Sequence, residues 1–160
     1  MVDGARPDFD KNLDEVRQDI LHMGDLVITA LNDAITALKT KDTALAAQVI
    51  SKDVQIDVEQ IFIEDKAVEL IALQQPVARD LRILSTALKM TTDLERIGDH
   101  AKKIAKIANV IGQDKLMKPL IDLPKAAELA AGMVQKVRQA YVNVDADLAR
   151  EVISLDDRVD

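Results

Sequence analysis

Between Ile83 and Ile111 an apolar residue recurs at alternating steps of four and three, through Ala87, Met90, Leu94, Ile97, Ala101, Ile104 and Ala108. Such a stripe runs down one side of a helix and excludes a strand, whose side chains alternate at every residue. A helix of this length is well over twice the ~11–12-residue mean and holds only by packing beside others. The punctuation agrees. Pro7 precedes a helix over about Phe9–Lys39, Thr40-Lys41-Asp42 breaks it, and a second helix runs to about Gln75. Pro76 opens the third, with Gly112 as its C-cap, and Pro124 opens a fourth to about Asn143. A fifth starts near Asp145. The expected fold is all-α, with the first three helices in an antiparallel bundle.

The segment Asp42–Asp57 (DTALAAQVISKDVQID) returns as Asp145–Asp160 (DADLAREVISLDDRVD), 103 residues on, with eight of sixteen positions identical. An internal repeat of this kind implies tandem units. The expected organisation is a complete three-helix unit over 1–112, a linker containing Pro119 over 113–123, and the front of a second unit over 124–160. The third helix of that second unit is missing, so the chain reads as a partial product.

Composition removes whole classes of function. No apolar run approaches the ~18 residues needed to cross a bilayer. The opening MVDGARPDFDKNL has no secretory core, which leaves a cytoplasmic location as the expectation. Cysteine is absent, and with it disulfides, thiolate metal sites and thiol nucleophiles. A formal charge of −7, no Trp and one Tyr speak against nucleic acid, which asks for a basic face and stacking platforms. A cation or a basic protein surface suits the chain better. No phosphate loop, nucleophile elbow or dinucleotide fingerprint is present, so no enzyme activity is expected.

The second helix carries two apolar stripes on roughly opposite sides. One is Ala47, Ile50, Val54, Ile61, Val68 and Ile71; the other is Leu45, Val49, Ile56, Ile63, Ala67 and Leu70. One serves its own bundle, and the other predicts association with the following unit or with a second chain.

Four acids stand out by position. Asp53 and Asp57 lie four apart on the second helix, and Glu95 and Asp99 four apart on the third, so each pair shares a face. Asp57 falls between Val54 and Ile61, where an unpaired carboxylate is costly. Glu95 and Asp99 continue a side stripe that is apolar earlier, at Val77, Leu81, Leu84 and Leu88. Antiparallel neighbours can bring the two pairs together as an all-oxygen site for a hard cation such as Mg²⁺, Mn²⁺ or Fe. The plainer alternative is solvated acids paired with Lys52, Arg96 or Lys102. Asp156 and Asp160 repeat Asp53 and Asp57 in the second unit. Asp19 and His22 imitate half of a di-iron acid-x-x-His motif, which needs two copies; His22 and His100 read as surface or packing residues.

The third helix, LRILSTALKMTTDLERIGDHAKKIAK over 81–106, resembles the signature helix of the PhoU family, most specifically in Thr92–Ala101. Met23–Leu31, Val49–Asp57 and Leu129–Asp160 fit the same pattern. The resemblance implies tandem three-helix bundles whose E/DxxxD motifs bind metal, here at Asp53 and Asp57, Glu95 and Asp99, and Asp156 and Asp160. The ion is then divalent or trivalent: Mg, Mn, Fe or Zn. The resemblance further implies a cytoplasmic, homodimeric negative regulator of the phosphate-starvation response. Its partners are the ATPase subunit of the phosphate ABC transporter and the sensor histidine kinase of that pathway. Alternatives from the residues alone are a di-iron-type storing or redox bundle and a plain oligomerisation module.

Overall fold

A computed structural model describes residues 5–114 and 119–156, with side chains from position 7. It has five helices: α1 (Ala5–Thr40), α2 (Thr43–Gln74), α3 (Ala78–Ile111), α4 (Asp122–Asn143) and α5 (Ala146–Asp156). No strand occurs among the described residues. The breaks follow from local chemistry. The Asp42 carboxylate accepts from the Leu45 N–H at 2.9 Å and starts α2. Its repeat, Asp145, accepts from the Leu148 and Asp147 N–H groups at 2.9 and 3.0 Å and starts α5. The two copies of the repeat thus begin with the same cap. Gly112, at φ 50°, ends α3 by donating to the Ala108 carbonyl. Pro76 lies just outside α3, and Val77 stands at its N-cap without a side-chain cap.

The first three helices form the expected bundle, with α1 packed against both others. Two core regions stack along it. One holds the large side chains Val16, Ile20, Met23 and Val27 of α1 against Ile56 and Ile63 of α2 and Leu84 and Leu94 of α3. The other is built mainly of alanines (Ala34, Ala37, Ala46, Ala101, Ala105 and Ala108) with Leu31, Leu38 and Val49. The α3 stripe enters this core as expected, Ile83, Ala87, Leu94, Ala101 and Ala108 buried and the positions between them half-buried.

On α2 the two stripes have different fates. Val49, Ile56, Ile63, Ala67 and Leu70 are buried, whereas Val54, Ile61 and Val68 are 58%, 59% and 55% exposed. The principal contacts of α2 are with α1 and α3, so the following helices do not take up the outer stripe. Asp57 consequently stands beside solvated apolar residues rather than inside a packed stripe, and it is half-buried. The deeply buried acid is Asp53, at 5% exposed.

Helix α4 docks on α1 through Arg138. This buried guanidinium donates to the Leu21 carbonyl at 2.5 Å and pairs with Asp25 at 2.6 Å. A Cβ on Gly24 would stand 2.7 Å from Arg138 Cδ, so only glycine leaves room for the arginine stem. Tyr141 of α4 reaches α3, its hydroxyl donating to the Ile83 carbonyl at 3.1 Å. Helix α5 packs on α4, helped by a Lys136–Glu151 ion pair.

Candidate functional site

The acids of α2 and α3 lie at the junction of the two core regions, where the helices approach closely. Gly98 makes that approach possible. A Cβ there would come within 2.8 Å of Ile56 Cδ1. Ile56 stands between Asp53 and Asp57, and Gly98 stands beside Asp99 and one turn from Glu95. The contact that lacks a side chain on one partner therefore sets one carboxylate pair against the other.

Lys102 completes the group. Glu95, Asp99 and Lys102 follow one another by four and three residues, which aligns them on one face of α3. The Lys102 ammonium forms a hydrogen-bonded ion pair with Asp53 Oδ2, its own side chain 29% exposed. A carboxylate as enclosed as Asp53 needs such a partner, because removing an unpaired charge from water is costly. Of the three cations that the sequence offered as partners, Lys102 is the one used; Lys52 and Arg96 are exposed.

The acids also act on one another. Burial, then the charge of Asp53, pushes the Asp57 carboxyl above its ordinary value; Lys102 opposes this and Asp99 adds to it. Burial also raises Glu95, reinforced by Asp99, Asp57 and Asp53 and by a hydrogen bond with Asp99. The hydrogen bond that Lys102 donates to Asp53 leads the causes that raise the Lys102 ammonium above its ordinary value, with Asp99 and Asp57 acting in the same direction. Four carboxylates and one ammonium thus share one electrostatic neighbourhood.

Two turns along, Thr91 fixes the register of the same helix pair. It is fully buried, its hydroxyl 2.9 Å from the Leu88 carbonyl of its own helix and 3.1 Å from Glu64 Oε1 of α2, the oxygen that also accepts from Gln60 at 2.8 Å. Thr91 and Gly98 lie in the signature helix, yet neither they nor Arg138 were singled out for packing or function by the sequence reading. A small or polar residue inside an apolar run was the available signal for the first two.

In kind, an all-carboxylate donor set fits a hard cation. In placement, no three acids or histidines among the described residues close around a common point, and the ammonium of Lys102 is paired with Asp53. Of the second-unit acids, Asp156 is not part of this cluster. Asp156 is exposed at the end of α5, which packs chiefly on α4, and Asp160 lies outside the described residues. Asp19 is engaged with Lys66 at 2.8 Å, while His22 and His100 are exposed, so the half di-iron motif assembles nothing.

No helix of the described residues is long and apolar enough to cross a membrane. Comparison with known proteins matches residues 20–108 and 123–160 to the PhoU domain. The phosphate-specific transport system accessory protein PhoU homologue of Clostridium acetobutylicum is 38% identical over 98% of this chain and 72% of its own length. That of Aquifex aeolicus is 35% identical over 94% and 68%. The Escherichia coli protein is 33% identical over 95% and 63%, so the chain spans roughly two thirds of such relatives. These proteins are named as accessory proteins of a transport system, not as enzymes. The crystal structure of PhoU from Pseudomonas aeruginosa superposes with a TM-score of 0.88 at 36% identity, covering 94% of this chain and 74% of that one. That of the phosphate transport system regulatory protein PhoU from Streptococcus pneumoniae gives 0.86 at 31% identity, covering 94% and 70%. With its signature helix, its bundle and its sequence all in agreement, the chain belongs to the PhoU family.

Proposed function

We propose that the chain is a metal-binding regulatory adaptor of phosphate uptake, acting in the cytoplasm as a negative regulator of the phosphate-starvation response. It would link the ATPase subunit of the phosphate ABC transporter to the sensor histidine kinase. What supports the metal reading is the placement of Asp53 and Asp57 on α2 beside Glu95 and Asp99 on α3, on either side of the close Ile56–Gly98 contact. A bound divalent or trivalent ion (Mg, Mn, Fe or Zn) would supply positive charge that lets the two acid pairs stay ionised side by side. The chain's own residues set the rest: Gly98 and Ile56 hold the helices close, and Thr91 with Glu64 fixes their register. Residues 1–112 are read as one family repeat and 124–160 as the front of a second, to which Asp156 and Asp160 would belong.

The reading includes a homodimer, and the outer face of α2 supports it. Val54, Val58, Ile61 and Val68 are all exposed and follow steps of four, three and seven, the spacing of a helix-packing seam. Two tests apply. Protein prepared without chelator carries metal by elemental analysis and co-purifies with the transporter ATPase subunit; absence of both contradicts the adaptor reading. Light scattering gives a dimer that Ile61→Glu converts to a monomer with an unchanged melting temperature. A monomeric parent protein removes the dimer from the proposal.

A further inference from the structure

We infer that the outer face of α3 is a docking surface for a helix of another protein that carries acidic residues at seven-residue spacing. Arg82, Lys89, Arg96 and Lys103 follow one another at intervals of seven, and all four are exposed. Residues seven apart differ by only about 20° around a helix and lie about 10.5 Å apart along it, so the charges form a nearly straight row. The next position in that row is Val110, 84% exposed, and Ile107 one turn before it is 54% exposed. None of the four cations enters an ion pair among the described residues, whereas Lys66, Lys102 and Arg138, which are less exposed, all do. The adjoining exposed positions of α3 hold one acid, Asp93.

A row with this period is what a helix lying alongside α3 meets, because in a left-handed pair equivalent positions return to the interface every seven residues. The partner's chemistry follows by complementarity. Four cations without partners, in a chain whose formal charge is −7, call for acids, and the two aliphatic side chains at the end of the row call for an apolar residue there. A second copy of the chain does not supply such a helix: nowhere in the sequence do more than two acids follow one another at that spacing. The net negative charge also disfavours an anionic membrane or a nucleic acid, both of which the field of the whole protein repels. Exposed ion pairs are individually weak. The row therefore sets the orientation and choice of partner, while Ile107 and Val110 contribute apolar burial. This surface is on a different helix from the apolar face of α2, and it does not depend on the metal reading.

The test uses the whole chain and two labelled helical peptides of one composition. One has glutamate at every seventh position and leucine at each end; in the other the glutamates are scrambled. In fluorescence anisotropy at low salt the regular peptide is expected to bind about tenfold more tightly than the scrambled one, and the difference to shrink as salt is raised. Arg96→Glu and, separately, Lys89→Glu should each weaken its binding about tenfold at an unchanged melting temperature. A lysine in place of a central glutamate of the peptide should recover most of that loss. Lys125→Glu, an exposed position on α4, is expected to leave binding as it was. Equal affinity for the two peptides, or binding indifferent to both α3 substitutions, overturns the inference. Tighter binding of phosphatidylglycerol vesicles or duplex DNA than of the regular peptide, lost in Arg96→Glu, also overturns it, since the row would then be a general anion face.

Discussion

Gly98 of α3 rests against Ile56 of α2 so closely that a single added methyl would stand 2.8 Å from Ile56 Cδ1. That contact lies inside the acid cluster, flanked by Asp53 and Asp57 on one helix and by Glu95 and Asp99 on the other. Glycine in the middle of a long helix costs about 1 kcal/mol relative to alanine. Here the cost is offset by a close approach to the buried Ile56 side chain, whose end a Cβ at position 98 would have to push aside.

Gly98→Ala is accordingly expected to be destabilising. The gain of about 1 kcal/mol in helix propensity is outweighed by overpacking, which costs about 1–3 kcal/mol. Ile56→Val removes the obstructing Cδ1. In that background the same alanine should be neutral or stabilising. Urea unfolding of the four proteins checks this, and a Gly98→Ala protein more stable than its parent refutes the close-approach account.

Arg138→Met should loosen α4 from α1 while leaving α1–α3 intact. It loses the bond to the Leu21 carbonyl and the pairing with Asp25, worth about 1–3 kcal/mol together because Asp25 is largely solvated. Hydrogen exchange would show this as faster exchange confined to α4 and α5. Uniform acceleration through α1–α3 would mean instead that the first bundle depends on the fourth helix.

Tyr141 predicts an alkaline limit. Burial, against the opposing charge of Arg17, pushes its hydroxyl up to about 12 from an ordinary value of 10.0. A raised value favours the protonated form in the folded protein. The associated stability, about 2–3 kcal/mol, is therefore complete below pH 10 and is lost as pH rises toward 12. Tyr141→Phe should cost about 1 kcal/mol at neutral pH, from the bond to Ile83, and flatten that part of the alkaline decline. Denaturant midpoints across pH 9–12 decide the matter; identical slopes for both proteins would contradict it.

Helices and caps were legible in the sequence because their causes are local. Asp42 and Asp145 each cap a helix using atoms within three residues, and the α3 stripe needs nothing beyond its own period. The four first-bundle acids could be picked out by spacing, but their ranking could not. The stripe around Asp57 suggested a costly burial there, yet that stripe stays exposed and Asp53 is the enclosed acid. Which acid is buried depends on the approach at Gly98, and its partner Lys102 comes from another helix, forty-nine residues away. Arg138 is a further case. Its spacing on α4 does not reveal that it reaches the Leu21 carbonyl of α1 across a glycine.

The central claim is that carboxylates of two helices serve one ion, and Mn²⁺ titration of single-helix variants tests it most directly. Asp57→Asn on α2 and Glu95→Gln on α3 are each expected to weaken binding about tenfold or more with the fold intact, as loss of one ligand from a shared ion requires. Binding unaffected by either substitution, or sensitive to only one helix, would contradict the account.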